Sequence, residues 1–223
     1  MKQRQSGFTL VEIAIVLVII GLLLGGILKG QELINNAKVR NVADQQNSIK
    51  AAFFAFQDRF RAIPGDYSQA AANIPGAANP ATPSNSIIDT AAEQVQAWQQ
   101  LTAAGFISCS DCTGVGAAVG PANSPKNAFN GVMALMTDTA YNDAAVAVGP
   151  ARTNLKSGKN IPSNVLAEVD RKIDDGNPRT GTFRFSTWAD AAPNPAEATC
   201  AAVNTDIWIA LNPDPNCGAA NLI

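Results

Sequence analysis

Glu12 is the one charged residue within a run of 21 otherwise uncharged, largely apolar residues, Phe8 to Leu28. A carboxylate at the centre of a bilayer costs roughly 2.5 to 3.5 kcal/mol on insertion scales, so acids in such runs usually have a function. The other residues suited to chemistry lie far along the chain: Cys109-Ser-Asp-Cys112, Cys200 with Cys217, and the acids Asp170, Asp174 and Asp175. There is no histidine among the 223 residues. That excludes Ser-His-Asp and Cys-His hydrolytic arrangements, His-ligated zinc and the usual proton shuttle near neutral pH. No Gly-rich phosphate loop or convincing nucleophile motif stands in their place, so the chain reads as a non-enzyme with no cofactor. A net charge of -2 provides no broad positive field for a phosphate backbone, which disfavours a dedicated nucleic-acid binder.

An even number of cysteines favours disulfides if the domain is exported to an oxidising compartment. Cys109 with Cys112 and Cys200 with Cys217 is the preferred pairing, and two other connectivities remain open. A redox role for Cys-x-x-Cys lacks a surrounding thioredoxin-like pattern, and a four-cysteine zinc site would want a second close pair. A bridge from Cys200 to Cys217 closes 16 intervening residues and contributes on the order of 3 kcal/mol in the chain-entropy model. The three aspartates could ligate calcium, but they lack the alternating spacing of an EF-hand loop. A solvated helix end is the better reading, and no metal site is assigned.

The elements that hold these residues begin with the apolar run itself. As a helix rising about 1.5 Å per residue it spans roughly 30 Å, the thickness of a hydrocarbon core. The basic, polar Met1-Lys-Gln-Arg-Gln-Ser-Gly7 before it resembles the start of an export signal, yet Ile27-Leu-Lys-Gly-Gln-Glu-Leu33 after it offers no small-residue cleavage site. After Gly30 the pattern becomes amphipathic. Val42, Ile49, Phe53, Phe56 and Phe60 fall at helical spacing against Lys38, Asp44, Lys50, Gln57 and Arg61, predicting one helix to about Arg61 that ends at Ile63-Pro-Gly-Asp-Tyr67. Such a rod is about 80 Å long, and its bare half must lie in lipid or against identical rods. Core packing explains the aromatic stripe better than a ligand groove does.

Downstream, Ile88 to Ala104 reads as a helix with Ala92, Val95, Trp98 and Leu101 near one face, Trp98 as a core anchor. Ser163 to Ile173 reads as another, with Val165, Leu166, Val169 and Ile173 inward. Strands are expected at 131–136, 144–148, 180–188 and 205–211. Phe183 alternates with Phe185, and Ile207 with Ile209 and Leu211, each set covering a core. An antiparallel sheet against the long helix makes the class α+β.

Gly7-Phe8-Thr9-Leu10-Val11-Glu12 followed by an apolar helix resembles the processing site of type IV prepilins and type II secretion pseudopilins. The resemblance implies a pilin-like fold, with a long N-terminal α-helix whose apolar half protrudes, a small antiparallel sheet and a C-terminal disulfide loop like that of type IV pilins. It implies that a prepilin peptidase cuts after Gly7 and methylates the amine of Phe8. Glu12, five residues into the mature chain, would then act in assembly beside the Phe8 amine of a neighbouring subunit; paired inside an apolar layer, the two charges escape much of their separate desolvation. The implied organisation is a leader at residues 1–7, a transmembrane and polymerisation helix at 8–29, the amphipathic half of that helix at 30–62, and a globular head at 63–223. The implied function is a structural subunit of a type IV pilus or pilus-like filament. Its partners would be the membrane, the inner-membrane assembly machinery and identical or related pilin subunits in a helical homo-oligomer. Before assembly the monomer would sit in the bacterial inner membrane with its head in the periplasm, and afterwards in a cell-surface or periplasmic filament. The alternatives are a type II secretion pseudopilin, or a minor or tip pilin that binds a surface, a secreted protein or DNA. One departure from many pilins is that no proline precedes Pro64; Gly21, Gly25, Gly26 and Gly30 either weaken the helix instead or permit close helix approach.

Overall fold

The computed structural model describes residues 10–80, 82, 84–114, 116–143, 149–202 and 206–223. The chain divides into two compact units, Met1–Lys38 and Val39–Ile223, and helix α1 (Leu10–Phe60) contributes to both. In the first unit α1 is apolar, and its large side chains from Leu10 to Ile34 are all exposed. It remains α-helical through Gly21, Gly25, Gly26 and Gly30, and nothing lies within 4 Å of a Cβ added at any of the four.

In the second unit α1 becomes one wall of a core. Val39, Val42, Ala43, Ile49, Phe53 and Phe56 are buried, which is the stripe expected from the 3.6-residue period. Lys50, expected on the opposite polar face, is instead half-buried, and its ammonium donates to the Leu222 carbonyl at 2.8 Å and to Asn221 Oδ1 at 3.3 Å. The long aliphatic stem lets the charge reach a backbone acceptor that the helix face itself does not adjoin. The helix stops as Arg61 turns into the left-handed region at φ 54°. Pro64 follows, and Gly65 adopts φ 92° with its N–H donating to Gln100 Oε1 at 2.7 Å. A Cβ on Gly65 would lie 2.4 Å from the Glu93 carbonyl oxygen, so only glycine lets this turn approach the next long helix so closely.

After a single helical turn, α2 (Ala70–Asn73), comes α3 (Ala91–Ala103). It begins three residues later than expected because Ile88 is used elsewhere, its backbone bonding to Thr137. The capping box supplies the real start: Thr90 Oγ1 accepts from the Glu93 N–H, and Glu93 Oε2 accepts from the Thr90 N–H. Trp98 is fully buried with Phe53, Phe56, Val95 and Leu101 in one core cluster.

The sheet contains β1 (Ala134–Asp138), β2 (Arg152–Lys156), β3 (Phe183–Phe185) and, later in the chain, β6 (Ala219–Leu222), with α4 (Ser163–Ile173) between β2 and β3. Its spatial order is β1-β2-β6-β3, antiparallel throughout, with Leu135 opposite Leu155 and Asn221 between Leu155 and Phe183. Between β3 and β6 lie the short α5 (Glu197–Cys200) and a two-stranded ribbon of β4 (Ala201–Ala202) and β5 (Ile207–Trp208). The ribbon corrects the expected inward set. Ile207 is 61% exposed and Leu211 97% exposed, whereas Trp208 is 3% exposed and packs near Phe183 and Phe185. A one-residue change in phase moves every side chain of a strand to the other face, and the larger indole takes the core. The strand expected at 144–148 lies outside the described residues. The result is the α+β, pilin-like arrangement of one long helix, a small antiparallel sheet and a C-terminal disulfide.

Candidate functional site

The expected processing and assembly residues lie at the start of the chain. Gly7 and Phe8 are outside the described residues, and Glu12 lies exposed in the first turn of α1. Around and after it, Val11, Ala14, Ile15, Val18 and Ile19 line an apolar notch along the helix. The helix is long and apolar enough to cross a membrane, and the apolar window carries no internal cover. An apolar surface of this extent is costly in water at about 25 cal/mol per Å², which is the physical demand that lipid or another apolar helix would meet. Farther along, Lys29 and Glu32 form an exposed ion pair at 2.7 Å, of the kind worth a few tenths of a kcal/mol.

The four cysteines form Cys109–Cys112 and Cys200–Cys217. The second bridge ties α5 to the chain just before β6, and both its residues are fully buried beside Trp208 and Phe183. In the chain-entropy model a four-residue ring such as Cys109–Cys112 contributes about 2 kcal/mol against about 3 for the longer loop. The first bridge sits after α3, where Phe106 has returned to pack edge-on to Phe56 at 6.1 Å between centroids.

Asp170, Asp174 and Asp175 do converge, with carboxylate oxygens within 4.8 Å of one another. The protein itself occupies those oxygens. Asp170 accepts from the Trp208 indole and from the Gly176 N–H, Asp174 from the N–H groups of Thr182 and Phe183, and Asp175 from Asn177 and Thr180. This corrects the solvated-end reading for Asp170, which is fully buried. Burial pushes its carboxyl up to about 7, the negative charges of Asp175 and Asp174 add to the rise, and the hydrogen bonds from Trp208 and Gly176 oppose it. A group of acids satisfied by backbone and indole donors is a clamp joining α4, β3 and β5.

A second buried charge was not apparent from the sequence. Lys156 is 1% exposed, and its ammonium donates to Asp138 Oδ1 at 2.9 Å, to the Ala140 carbonyl at 2.9 Å and to Ser186 Oγ at 3.3 Å. Burial lowers its pKa, and the Asp138 carboxylate works against that. The arrangement fixes the segment after β1 over one face of the sheet. No periodicity announces it, since a lysine in Arg-Thr-Asn-Leu-Lys reads as solvent-facing. Lys156 and Ser186 are both buried, and the Ser186 hydroxyl accepts from the Lys156 ammonium while donating to the Ala140 carbonyl, so both groups are engaged in internal hydrogen bonds.

The family model of the prokaryotic N-terminal methylation motif matches residues 2–28, and that motif is the signature of type IV pilins and pseudopilins. No curated protein and no solved structure gives a significant match.

Proposed function

We propose that this chain, which carries the N-terminal methylation motif of type IV pilins and pseudopilins, is a structural subunit of a type IV pilus or pilus-like filament. A prepilin peptidase removes residues 1–7 and methylates Phe8. Residues 8–29 hold the monomer in the bacterial inner membrane, residues 30–62 carry the helix into the head, and residues 63–223 complete a head that lies in the periplasm. The assembly machinery then transfers the apolar helix from lipid to a helical polymer of the same or related subunits, where Glu12 meets the Phe8 amine of a neighbour.

The observation that carries this reading is the exposure of every large apolar side chain of α1 between Leu10 and Ile34. Lipid and a bundle of identical helices both cover such a surface, so transfer between them loses little hydrophobic free energy. The reading is supported further by a head whose buried polar groups serve as internal clamps. The test is to shear surface fibres from cells and analyse them by mass spectrometry. The expected result is this protein in the fibres, with methylated Phe8 as its first residue. An assembled protein that begins at Met1, or one found only as a membrane monomer while the secretion machinery works normally, overturns the proposal.

A further inference from the structure

The two disulfides of the head differ in what surrounds their sulfurs. Cys200 and Cys217 are both fully buried. Cys109 is only half-buried and lines an open groove of about 300 Å³ with Ile49, Phe106, Ile107 and Pro125. Its partner Cys112 is 3% exposed and belongs to the core cluster behind it. Exchange begins when a thiolate attacks one disulfide sulfur, and its rate depends on which sulfur can be reached. Cys109 therefore offers a single point of entry, while the Cys200–Cys217 bridge offers none in the folded head. The ring spans only neighbouring residues, so opening it leaves the packing of α1, α3 and the sheet in place.

We propose that Cys109–Cys112 is a thiol-exchange site, entered at Cys109 by a thiolate seated in the groove, and that Cys200–Cys217 is inert to exchange in the folded protein. The entering thiolate forms a new S–S bond to Cys109 Sγ, and the bond to Cys112 Sγ breaks. Cys112 departs as a thiolate, carrying the charge the entering thiolate brought, and is protonated once the opened ring lets water reach it. When the incoming molecule is a dithiol, its second thiolate attacks the mixed disulfide and Cys109 leaves. The dithiol is oxidised to a disulfide by two electrons, and the pair in this chain becomes two thiols. When it is a monothiol, Cys112 recloses the ring and expels it, or a second monothiol completes the reduction. The groove is mixed, with Gln45, Ser48 and Ser108 lining it beside Ile49, Phe106, Ile107 and Pro125, and its apolar part favours a thiol that has an apolar neighbour. This site is independent of whether the chain polymerises.

The test uses the full chain in detergent micelles, without denaturant, exposed to graded dithiothreitol, alkylated at intervals and mapped by peptide mass. Cys109 and Cys112 should be alkylated at least tenfold faster than Cys200 and Cys217, with the far-ultraviolet circular dichroism unchanged. Equal rates, or alkylation of Cys109 and Cys112 only once denaturant is present, overturns the proposal. With oxidised glutathione, Cys112→Ser should accumulate a mixed disulfide at Cys109, and Cys109→Ser should do so at Cys112 at least tenfold more slowly. The reverse order refutes entry at Cys109. Should either variant fail to fold, the alkylation rates of the unaltered chain decide the matter. A leucine-flanked cysteinyl peptide should exchange faster than reduced glutathione at equal thiolate concentration; equal rates overturn the part assigned to the groove.

Discussion

The indole N–H of Trp208 donates to Asp170 Oδ2 at 2.7 Å, joining β5 to α4 through a carboxylate that is fully buried. The bond serves whichever protonation state the acid holds, because Oδ2 keeps an acceptor lone pair in both. What changes with protonation is the cost of keeping the group away from water.

That cost sets a pH dependence. With its carboxyl held up to about 7 in the folded head and an ordinary carboxyl pKa near 4 once unfolded, the folded state binds the proton more tightly across that interval. Stability contributed here is present at about pH 4 and is lost as the pH rises towards 7, by at most on the order of 4 kcal/mol. Asp170→Asn keeps an oxygen for the indole and removes the titration. Its thermal midpoint should fall less than the parent's between pH 4 and 7, and parallel curves would show that Asp170 ionises normally.

The Lys156–Asp138 pair predicts an asymmetry between its two halves. Asp138→Asn leaves a 1% exposed ammonium without its counter-charge and should cost about 3 kcal/mol or more. Lys156→Met replaces the stem with one of similar length and leaves a carboxylate whose side chain is 24% exposed and can still be hydrated. Denaturant unfolding should find the asparagine variant the less stable of the two; the opposite order would mean that the lysine is uncharged in the fold.

Two glycines with similar backbone angles should respond differently to alanine. Gly65 at φ 92° faces the Glu93 carbonyl, whereas Gly105 at φ 77° has nothing within 4 Å of an added Cβ. Gly105→Ala should cost about 1 kcal/mol for the left-handed conformation alone. Gly65→Ala adds a steric clash with backbone and should cost roughly 3 kcal/mol or more. Melting of the two variants side by side separates the contributions, and equal losses would show that the turn relaxes away from α3.

Glu12→Val should leave the head folded, because the head core is built from residues such as Phe53, Phe56, Trp98 and Phe183. If the apolar helix is inserted in a membrane as proposed, removing a carboxylate from lipid should also leave the monomer no less stable. Under the proposed assembly, a neighbour's Phe8 amine loses its counter-charge in an apolar layer, a penalty of about 3 to 5 kcal/mol. Sheared fibre yield should drop sharply while processing at Phe8 continues. Normal yield would remove Glu12 from the registering contact.

Long, strongly periodic elements were legible from residue types alone. The stripe from Val42 to Phe56 and the faces of Ser163–Ile173 read directly as helix because burial repeats every three to four residues. The inner strands were not legible. Arg152–Lys156 and Ala219–Leu222 carry little β-branched or aromatic character, and the polar residues of β2 are buried only because Asp138, Ala140 and Ser186 receive them. Ile207 and Trp208 illustrate the same limit, since alternation gives a period and leaves the phase open. The N-terminal signature was readable because it is a contiguous motif, whereas Asp170 with Trp208 and Lys156 with Asp138 are meetings of residues 38 and 18 positions apart.

The place of β6 bears on the order in which the head can form. It is the last of the four sheet strands to be synthesised, yet it lies inside the sheet, pairing with β2 on one side and β3 on the other. Until residues 219–222 emerge, β2 has one unpaired edge and β3 has no partner in this sheet. A nascent chain therefore carries an open strand edge from the completion of β2 at Lys156 until Ala219 is added, and such an edge is a template for pairing with another chain. Ribosome stalling or truncation before Ala219 should leave that edge exposed.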